Sequence, residues 1–434
     1  MVGFGWAVKR AADGSRSGVN RLSMEIASFP ATVGTVVSEL FSYGTGEFRD
    51  KNLRVPRWFA GDRAHFETVT SLSGPKIEGL LVSADRGSLT RGWRLLAGVF
   101  SLDGKPTNAA LLFSPNLDLT GLWILDEVAS EETEPTSGYR RFVHGIELLS
   151  DGSLIFGFDH GSSLQRFDPC GSRLWATDGE FNHAVTLDDE ETHVWSILKS
   201  HILAQVSVTD GRIVKQVNID EVIEANRDKD PLEIRRAHDN DTNGNSRNTK
   251  GEWLADRYHL NDVNPLPSAW ADRFEGFEAG DLLVSLRSLN MLMIVDPATL
   301  EIKWWRAGAT RRQHDPDWLP DGTIAVLNNR MSEDFSQIVT IDPATYARST
   351  LFDGRRNDFY TRIRGKQQVT PDSRLLVSSP QQGRAFELDK DGATLLEFVN
   401  THPTDGRYNY ALSEMRWYPP ERFTEATFAC LPKT

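Results

Sequence analysis

His314-Asp315-Pro316-Asp317-Trp318-Leu319-Pro320-Asp321-Gly322-Thr323-Ile324-Ala325-Val326-Leu327, followed by Gln337-Ile338-Val339-Thr340-Ile341-Asp342-Pro343-Ala344-Thr345-Tyr346, carries the pattern that decides the fold. Short apolar runs are set off by Asp321-Gly322 on one side and Asp342-Pro343-Ala344-Thr345 on the other. Asp and Gly accept the backbone angles of a tight reversal and Pro presets one, so these are breaks between strands. The frame recurs. Asp151-Gly152 precedes Ser-Leu-Ile-Phe, with Asp168-Pro169 after the next run. Asp281 precedes Leu-Leu-Val-Ser-Leu-Arg287, with Asp296-Pro297-Ala298-Thr299 following, and Asp372 precedes Ser-Arg-Leu-Leu-Val, with Asp389 following. Glu191-Thr-His-Val-Trp195, with residues 204–211, is a more worn copy. Units of about 40–50 residues holding three or four strands each are the mark of a radial repeat, a β-propeller.

Five units are headed by His144, His183, His259, His314 and Gly365. A sixth, less clearly punctuated, runs from Lys76-Ile-Glu-Gly-Leu-Leu-Val through Ala109-Ala-Leu-Leu-Phe113 and Gly121-Leu-Trp-Ile-Leu125. The alternating tail Tyr408 to Trp417 is expected to close the ring onto this first blade, which removes an open sheet edge. The expectation is an all-β, six-bladed propeller over residues 71–434, preceded by a partly helical or irregular extension over 1–70. Within the extension, residues 22–41 read as a helix broken near Pro30.

Two insertions interrupt the frame. Residues 220–257 are rich in Asp, Asn, Arg and Lys and read as a solvated loop. Their Asp239-Asn-Asp-Thr-Asn-Gly244 run has calcium-type oxygens but lacks the closing glutamate and helical frame of an EF-hand. Residues 265–279 carry Trp270, Phe274 and Phe277, as either a lid over a pocket or plain packing on the disc.

A net charge of -13, without a basic cluster interleaved with aromatics, argues against a nucleic-acid partner. The two cysteines, Cys170 and Cys430, do not have metal-site spacing; they either pair once or stay free. No metal ligand set and no Gly-rich phosphate loop is found, so no cofactor is expected. No stretch is long enough to span a membrane. The apolar start Val2-Gly-Phe-Gly-Trp-Ala-Val8 is too short for a signal core, and one explanation is an anchor or export signal encoded upstream of Met1.

In a radial repeat, equivalent positions surround one axis, so the heading histidines are expected to meet at one mouth. His160, His193 and His201 fall within strands or turns and read as structural or exposed. Gln313-His314-Asp315, the Leu-Pro-Asp-Gly turn and the strand ending Asn328-Asn329 together resemble the histidine-bearing strand of the bacterial arylsulfotransferase family. His259-Leu-Asn261, the strand closing on Arg287, and the last unit from Gly365 are similar to further elements of that family, in the same order. The resemblance runs from about His144 to Pro419.

It implies a six-bladed propeller enzyme that moves a sulfuryl group from an aryl sulfate to a phenol without a nucleotide donor, located in the periplasm or otherwise outside the cytoplasm. By the same resemblance His314 is the nucleophile that becomes a sulfohistidine. His259 and Arg287 grip the sulfuryl oxygens, Asn261 holds or orients them, and His144 is a further imidazole of the pocket, with His183 a competing claimant. The chemistry suits these side chains. Neutral imidazole is nucleophilic near pH 7, and anionic oxygens need a fixed guanidinium and protonated imidazoles. Asp315 either orients His314 or is a turn residue.

Two positions depart from the family pattern. Asp262 stands where serine is usual, and is expected to turn away or pair with an arginine such as Arg273. Lys366, with Gln367 and Gln368, replaces small hydroxyl residues and is expected to serve as a substrate-binding cation. Two rival readings are a propeller that binds or scaffolds without chemistry, and a quinoprotein-like dehydrogenase. The latter rests on the Asp-x-x-x-Gly-x-x-x-Trp-like spacing near Asp168 and Trp175.

Overall fold

The computed structural model describes residues 54–56, 65–70, 74–126, 142–159, 161–229, 258–331 and 333–430. All belong to one of the two units into which the chain divides, residues 53–136 with 141–434. The expected helix over 22–41, His160 and residues 230–257 of the expected solvated loop lie outside the described residues; the start of that loop is instead an α-helix, Ile219–Ala225, because Ile219 and Val222 bury an apolar side.

Six antiparallel sheets form the six blades of a β-propeller. Their innermost strands are, in chain order, Phe142–Leu148, Phe181–Leu187, Leu260–Pro265, His314–Trp318, Lys366–Val369 and Leu412–Tyr418. Each touches the next, and the sixth touches the first. The ring is therefore closed. Closure follows the expected route: Leu412–Tyr418 becomes the inner strand of a blade whose other strands are Trp93–Leu102, Lys105–Phe113 and Leu119–Ile124.

One assignment is corrected. Leu80–Ala84 does not join that blade but pairs with Thr394–Asn400 on the neighbouring one, and Glu67–Thr68 pairs onto it in turn. Ile77–Glu78 still pairs with Trp93–Leu102, so the chain crosses from blade to blade at Gly79. Gly79 has a φ of 81°, and a Cβ there would lie 2.0 Å from the Thr401 carbonyl oxygen. Only glycine fits. The propeller unit also reaches back before residue 71, since Arg54–Pro56 pairs with Tyr408–Tyr410.

Blade boundaries explain why so many strands are apolar on both faces. Six buried clusters sit one at each boundary; Leu283, Ile294 and Trp304 of the third blade, for example, meet Trp318, Ile324 and Val339 of the fourth. Burying each large side chain there stabilises the ring by about 1.5–3 kcal/mol. The segment after the closing strand packs Phe423 and Phe428 on Trp93, and Phe428 on Trp123. It ends in a Cys170–Cys430 disulfide, which resolves the open alternative for the two cysteines. A cross-link over so long a span contributes on the order of 2–4 kcal/mol.

Residues 265–279 pack rather than cover. Ser268–Arg273 forms a 3-10 turn, and Phe274 meets Trp318 edge-on at 4.7 Å. The insertion follows Pro265, at the opposite end of its inner strand from His259. Six strand residues at ~3.3 Å each separate the two by roughly 20 Å, so it does not lie over the histidines.

Candidate functional site

All six inner strands start at the same end of the ring, where five carry an irregular register: between Val143 and Ile146, Asn182 and Val185, Leu260 and Asp262, His314 and Pro316, and Leu412 and Glu414. A bulge twists a strand and re-aims the side chains at its kink. His183, His259, Asp315 and Arg364 adopt positive φ values of 66°, 48°, 49° and 61°. Such left-handed backbone is uncommon for residues with a Cβ and tends to gather where geometry serves function. The repeat thus supplies a ring of bent strand ends.

Four histidines converge there. The rings of His144 and His183 lie 4.4 Å apart, and those of His183 and His259 5.1 Å apart. His314 is close enough to feel the charges of His144, His259 and Arg287. Arg287 sits in the turn after Leu282–Leu286; its backbone N–H donates to the His259 carbonyl at 3.1 Å, and its Nη2 lies 3.9 Å from Met331 Sδ.

The hydrogen bonds of His314 fix its protonation pattern. Asn329 Nδ2 donates to the carbonyls of Thr361 (2.8 Å) and Arg364 (2.7 Å), so its Oδ1 is the end that faces His314 Nδ1, at 2.7 Å. An amide oxygen only accepts, so Nδ1 carries the proton. Nε2 then holds a lone pair, which accepts the backbone N–H of Arg364 at 3.1 Å. Burial, with the positive charge of Arg287, pushes the His314 pKa well below its ordinary value. Burial also lowers His144, to about 3, and His183. His144 and His183 are therefore neutral near pH 7, where protonated imidazoles were expected, and His314 is neutral as a nucleophile requires, because the low-dielectric mouth disfavours added charge. His144 Nδ1, His183 Nδ1 and Asn261 Oδ1 are buried with no hydrogen-bond partner among the described residues.

Other expected residues take different places. Asn261 Nδ2 donates to the Gln313 carbonyl at 2.7 Å, bridging two blades, and its Oδ1 is buried. That oxygen only accepts, so it suits a donor and not an anion. Asp315 does not orient His314. Its carboxylate receives Lys366 Nζ at 2.8 Å and the Gln367 backbone N–H at 2.5 Å, and Asn329 does the orienting instead. Lys366 also binds Asp262 at 3.0 Å, so its charge is neutralised by two carboxylates and is not offered to a substrate. Asp262 pairs with this lysine, and Arg273 contacts Asp272.

Further along the inner strands the buried network continues. Asp317 accepts from Gln367 Nε2 at 2.7 Å and Asn264 Nδ2 at 2.9 Å, Arg416 meets Glu414 at 2.6 Å, and Tyr418 donates to Glu147 at 2.9 Å. Burial raises Asp262 to about 6 and Asp317 well above the usual carboxylate range.

Arg364 is the residue the sequence reading missed. Beyond capping His314 Nε2, its guanidinium pairs with Asp159 and lies over the Phe142 ring at 4.6 Å, and its charge reaches both His144 and His183. A signal existed: Arg364-Gly365 repeats His144-Gly145, with both glycines at positive φ (99° and 105°). The fifth unit lacks an imidazole at its head because an arginine takes the place. His193 lies outside the cluster, 3.0 Å from Asp188. Among the described residues, no group of three or more His, Cys, Asp or Glu side chains is arranged to hold a metal.

Comparison with known proteins adds three findings. A family model described as arylsulfotransferase (ASST) matches residues 145–401, more than half of the chain, and that span includes His183, His259, Arg287, His314, Arg364 and Lys366. No curated protein matches the sequence. Among solved structures, the chain is similar to a protein of unknown function from Bacteroides caccae (10% identity, 75% of this chain and 98% of that one, TM-score 0.44). It is also similar to a streptogramin B lyase (10%, 78% and 98%, TM-score 0.43) and to virginiamycin B lyase from Staphylococcus aureus (11%, 66% and 86%, TM-score 0.37).

Proposed function

The chain belongs to the arylsulfotransferase (ASST) family, and from that premise we propose that it moves a sulfuryl group from an aryl sulfate to a phenol through a sulfated His314. The observation carrying the reading is the state of His314: a neutral imidazole, Nδ1–H fixed by Asn329 and Nε2 lone pair available, among three more imidazoles and two guanidiniums.

In the first half-reaction, Nε2 leaves the Arg364 N–H and gives its lone pair to sulfur. The sulfur–aryl oxygen bond breaks, and the aryl group departs with that electron pair as phenolate. Nδ1 keeps its proton, so the ring becomes an N-sulfo imidazolium and its bond to Asn329 Oδ1 strengthens. Arg287 and Arg364 hold the sulfuryl oxygens, with His144, His183 and His259 donating from ring N–H groups. In the second half-reaction the acceptor oxygen attacks sulfur and the nitrogen–sulfur pair returns to Nε2. A neighbouring imidazole takes the phenol's proton and passes it to the departed phenolate. No proton or electron is left over.

The test is release of 4-nitrophenol from 4-nitrophenyl sulfate that depends on added phenol, together with mass-spectrometric detection of sulfate on the His314 peptide after rapid quenching. Phenol-independent release with no labelled peptide would point to simple hydrolysis and sink the proposal. Arg287→Ala is expected to lose about 2–4 kcal/mol of transition-state stabilisation in kcat/KM, as removal of one anion-holding donor does. A loss under threefold would remove Arg287 from the oxyanion role.

The acid limb of the pH profile is expected well below pH 6.5, because burial and Arg287 keep His314 unprotonated there. A limb centred at 6.5 or higher would contradict a depressed nucleophile. The Cys170–Cys430 pair supports an oxidising, extracytoplasmic setting. Thiol labelling of protein taken from its native compartment without reductant tests this, and reactive cysteines would count against it.

A further inference from the structure

Between the third and fourth blades lies an open cavity of ≈560 Å³ lined by Arg306, Arg311, Arg330 and Arg348 with a single carboxylate, Glu333, and by none of the four clustered histidines. In a chain of net charge -13, four guanidiniums against one carboxylate is a local reversal of sign. We propose that this cavity is a second anion site, built for a doubly charged oxyanion such as a phosphate or sulfate group, whether free or carried on an ester.

The arginines are held together rather than neutralised. Glu333 is shared by Arg311 (3.4 Å) and Arg330 (3.8 Å). Arg330 and Arg348 both donate to one neutral acceptor, Gln337 Oε1, at 3.3 and 3.1 Å. Arg330 is propped on the Phe335 ring at 4.3 Å, and Arg306 lies 5.8 Å from the Tyr346 ring centre. The Nε atoms of Arg306 and Arg330 are buried with no hydrogen-bond partner among the described residues. Like charges crowded in this way repel, and burial together with Arg330 pulls the Arg348 pKa down. A dianion would relieve the repulsion and accept the planar N–H forks, geometry for which guanidinium suits oxyanions better than ammonium does.

The cavity wall is also the support of His314. Arg311 N–H donates to Asn328 Oδ1 at 2.8 Å, and Arg330 N–H to the Arg311 carbonyl at 3.1 Å. The next residues along these two loops are Arg312, whose carbonyl lies 3.2 Å from His314 Nδ1, and Asn329, which fixes the same nitrogen. An anion bridging the loops tightens the pair that orients His314. Binding itself does not depend on the sulfotransfer reading.

The experiment is calorimetric titration of the full chain with inorganic phosphate at constant ionic strength, on the parent protein, Arg306→Gln/Arg348→Gln, Arg348→Lys and Arg287→Ala. Expected are saturable binding by the parent, affinity lowered about tenfold or more in the double glutamine variant, a smaller loss of about threefold in Arg348→Lys, which keeps the charge but not the planar fork, and no change in Arg287→Ala. Circular dichroism checks the fold of each variant; Arg348→Lys keeps the test alive if the double variant is unstable. Phenyl phosphate separates the sources: tighter binding than phosphate favours an ester-borne group, and equal binding a free oxyanion. The proposal is overturned by no saturable binding to the parent, by undiminished binding to the folded double variant, or by loss in Arg287→Ala, which would put the anion at the imidazole cluster.

Discussion

His314→Ala is expected to abolish transfer from 4-nitrophenyl sulfate to phenol, lowering kcat by a factor on the order of 10⁴ or more, while His193→Ala leaves the rate within twofold. The contrast follows from surroundings, not residue type. His314 is buried, neutral, and held through one nitrogen so that the other presents a lone pair; His193 sits partly exposed against Asp188. Removing a covalent nucleophile removes both half-reactions at once, so residual anion binding by Arg287 and Arg364 cannot restore turnover. Substrate affinity should survive in part, which equilibrium binding of a non-transferable aryl sulfonate can measure. Retention of even one-tenth of parental kcat would mean that sulfate does not pass through His314, and would turn attention to His144, His183 and His259.

Lys366→Met is expected to destabilise the fold by about 3–5 kcal/mol, read as a shift in the urea midpoint at unchanged slope. Lys366 is buried, and its ammonium is the shared partner of Asp262 and Asp315. Methionine matches its length but leaves two carboxylates facing each other without a cation. Burial already raises Asp262 to about 6; losing Lys366 removes the largest influence that holds it down.

The pH dependence has a definite sign. Between 3.8 and about 6 the folded chain keeps the Asp262 proton that the unfolded chain releases, so this contribution is present at low pH and lost as pH rises through 6. His144 runs the other way. Between about 3 and 6.5 the unfolded chain binds a proton that the folded chain refuses, so acidification through that window destabilises. In Lys366→Met the Asp262 contribution should extend to higher pH, and adding Asp262→Asn and Asp315→Asn should recover much of the lost stability. A loss under 1 kcal/mol in Lys366→Met would show that the triad is solvated after all.

The fold was legible because a repeat reports itself: Asp-Gly and Asp-Pro-Ala-Thr turns mark strand ends whatever lies around them, and an alternating tail must find a sheet edge. The heading histidines were visible for the same reason, since radial equivalence turns sequence period into spatial neighbourhood. What escaped depended on contacts between units. Arg364 was hidden by a search for imidazoles, although its glycine neighbour repeats that of His144. Neutralisation of Lys366 requires carboxylates from the third and fourth blades to reach the fifth, which no local pattern records. Leu80–Ala84 reads as a strand from its residues, but its blade is chosen at Gly79, by the close approach of Thr401. The strand ending Asn328-Asn329 is visible as a motif in the sequence, but the contact of its second amide with the imidazole spans fifteen residues and depends on the fold.

The inner wall of the sixth blade is supplied by Leu412–Tyr418, a strand that follows the fifth blade, whereas its three companions precede the first. During synthesis, a nascent chain that has emerged only through the fifth blade lacks Glu414, Arg416 and Tyr418, and the stretch from Trp93 to Gly98 lacks its inner partner. The ribosome must therefore deliver the segments of all six blades before the channel's charges can be matched. A prematurely terminated copy then exposes unpaired backbone that quality-control machinery can recognise. Synthesis of Leu412–Tyr418 is thereby coupled to assembly of the mouth.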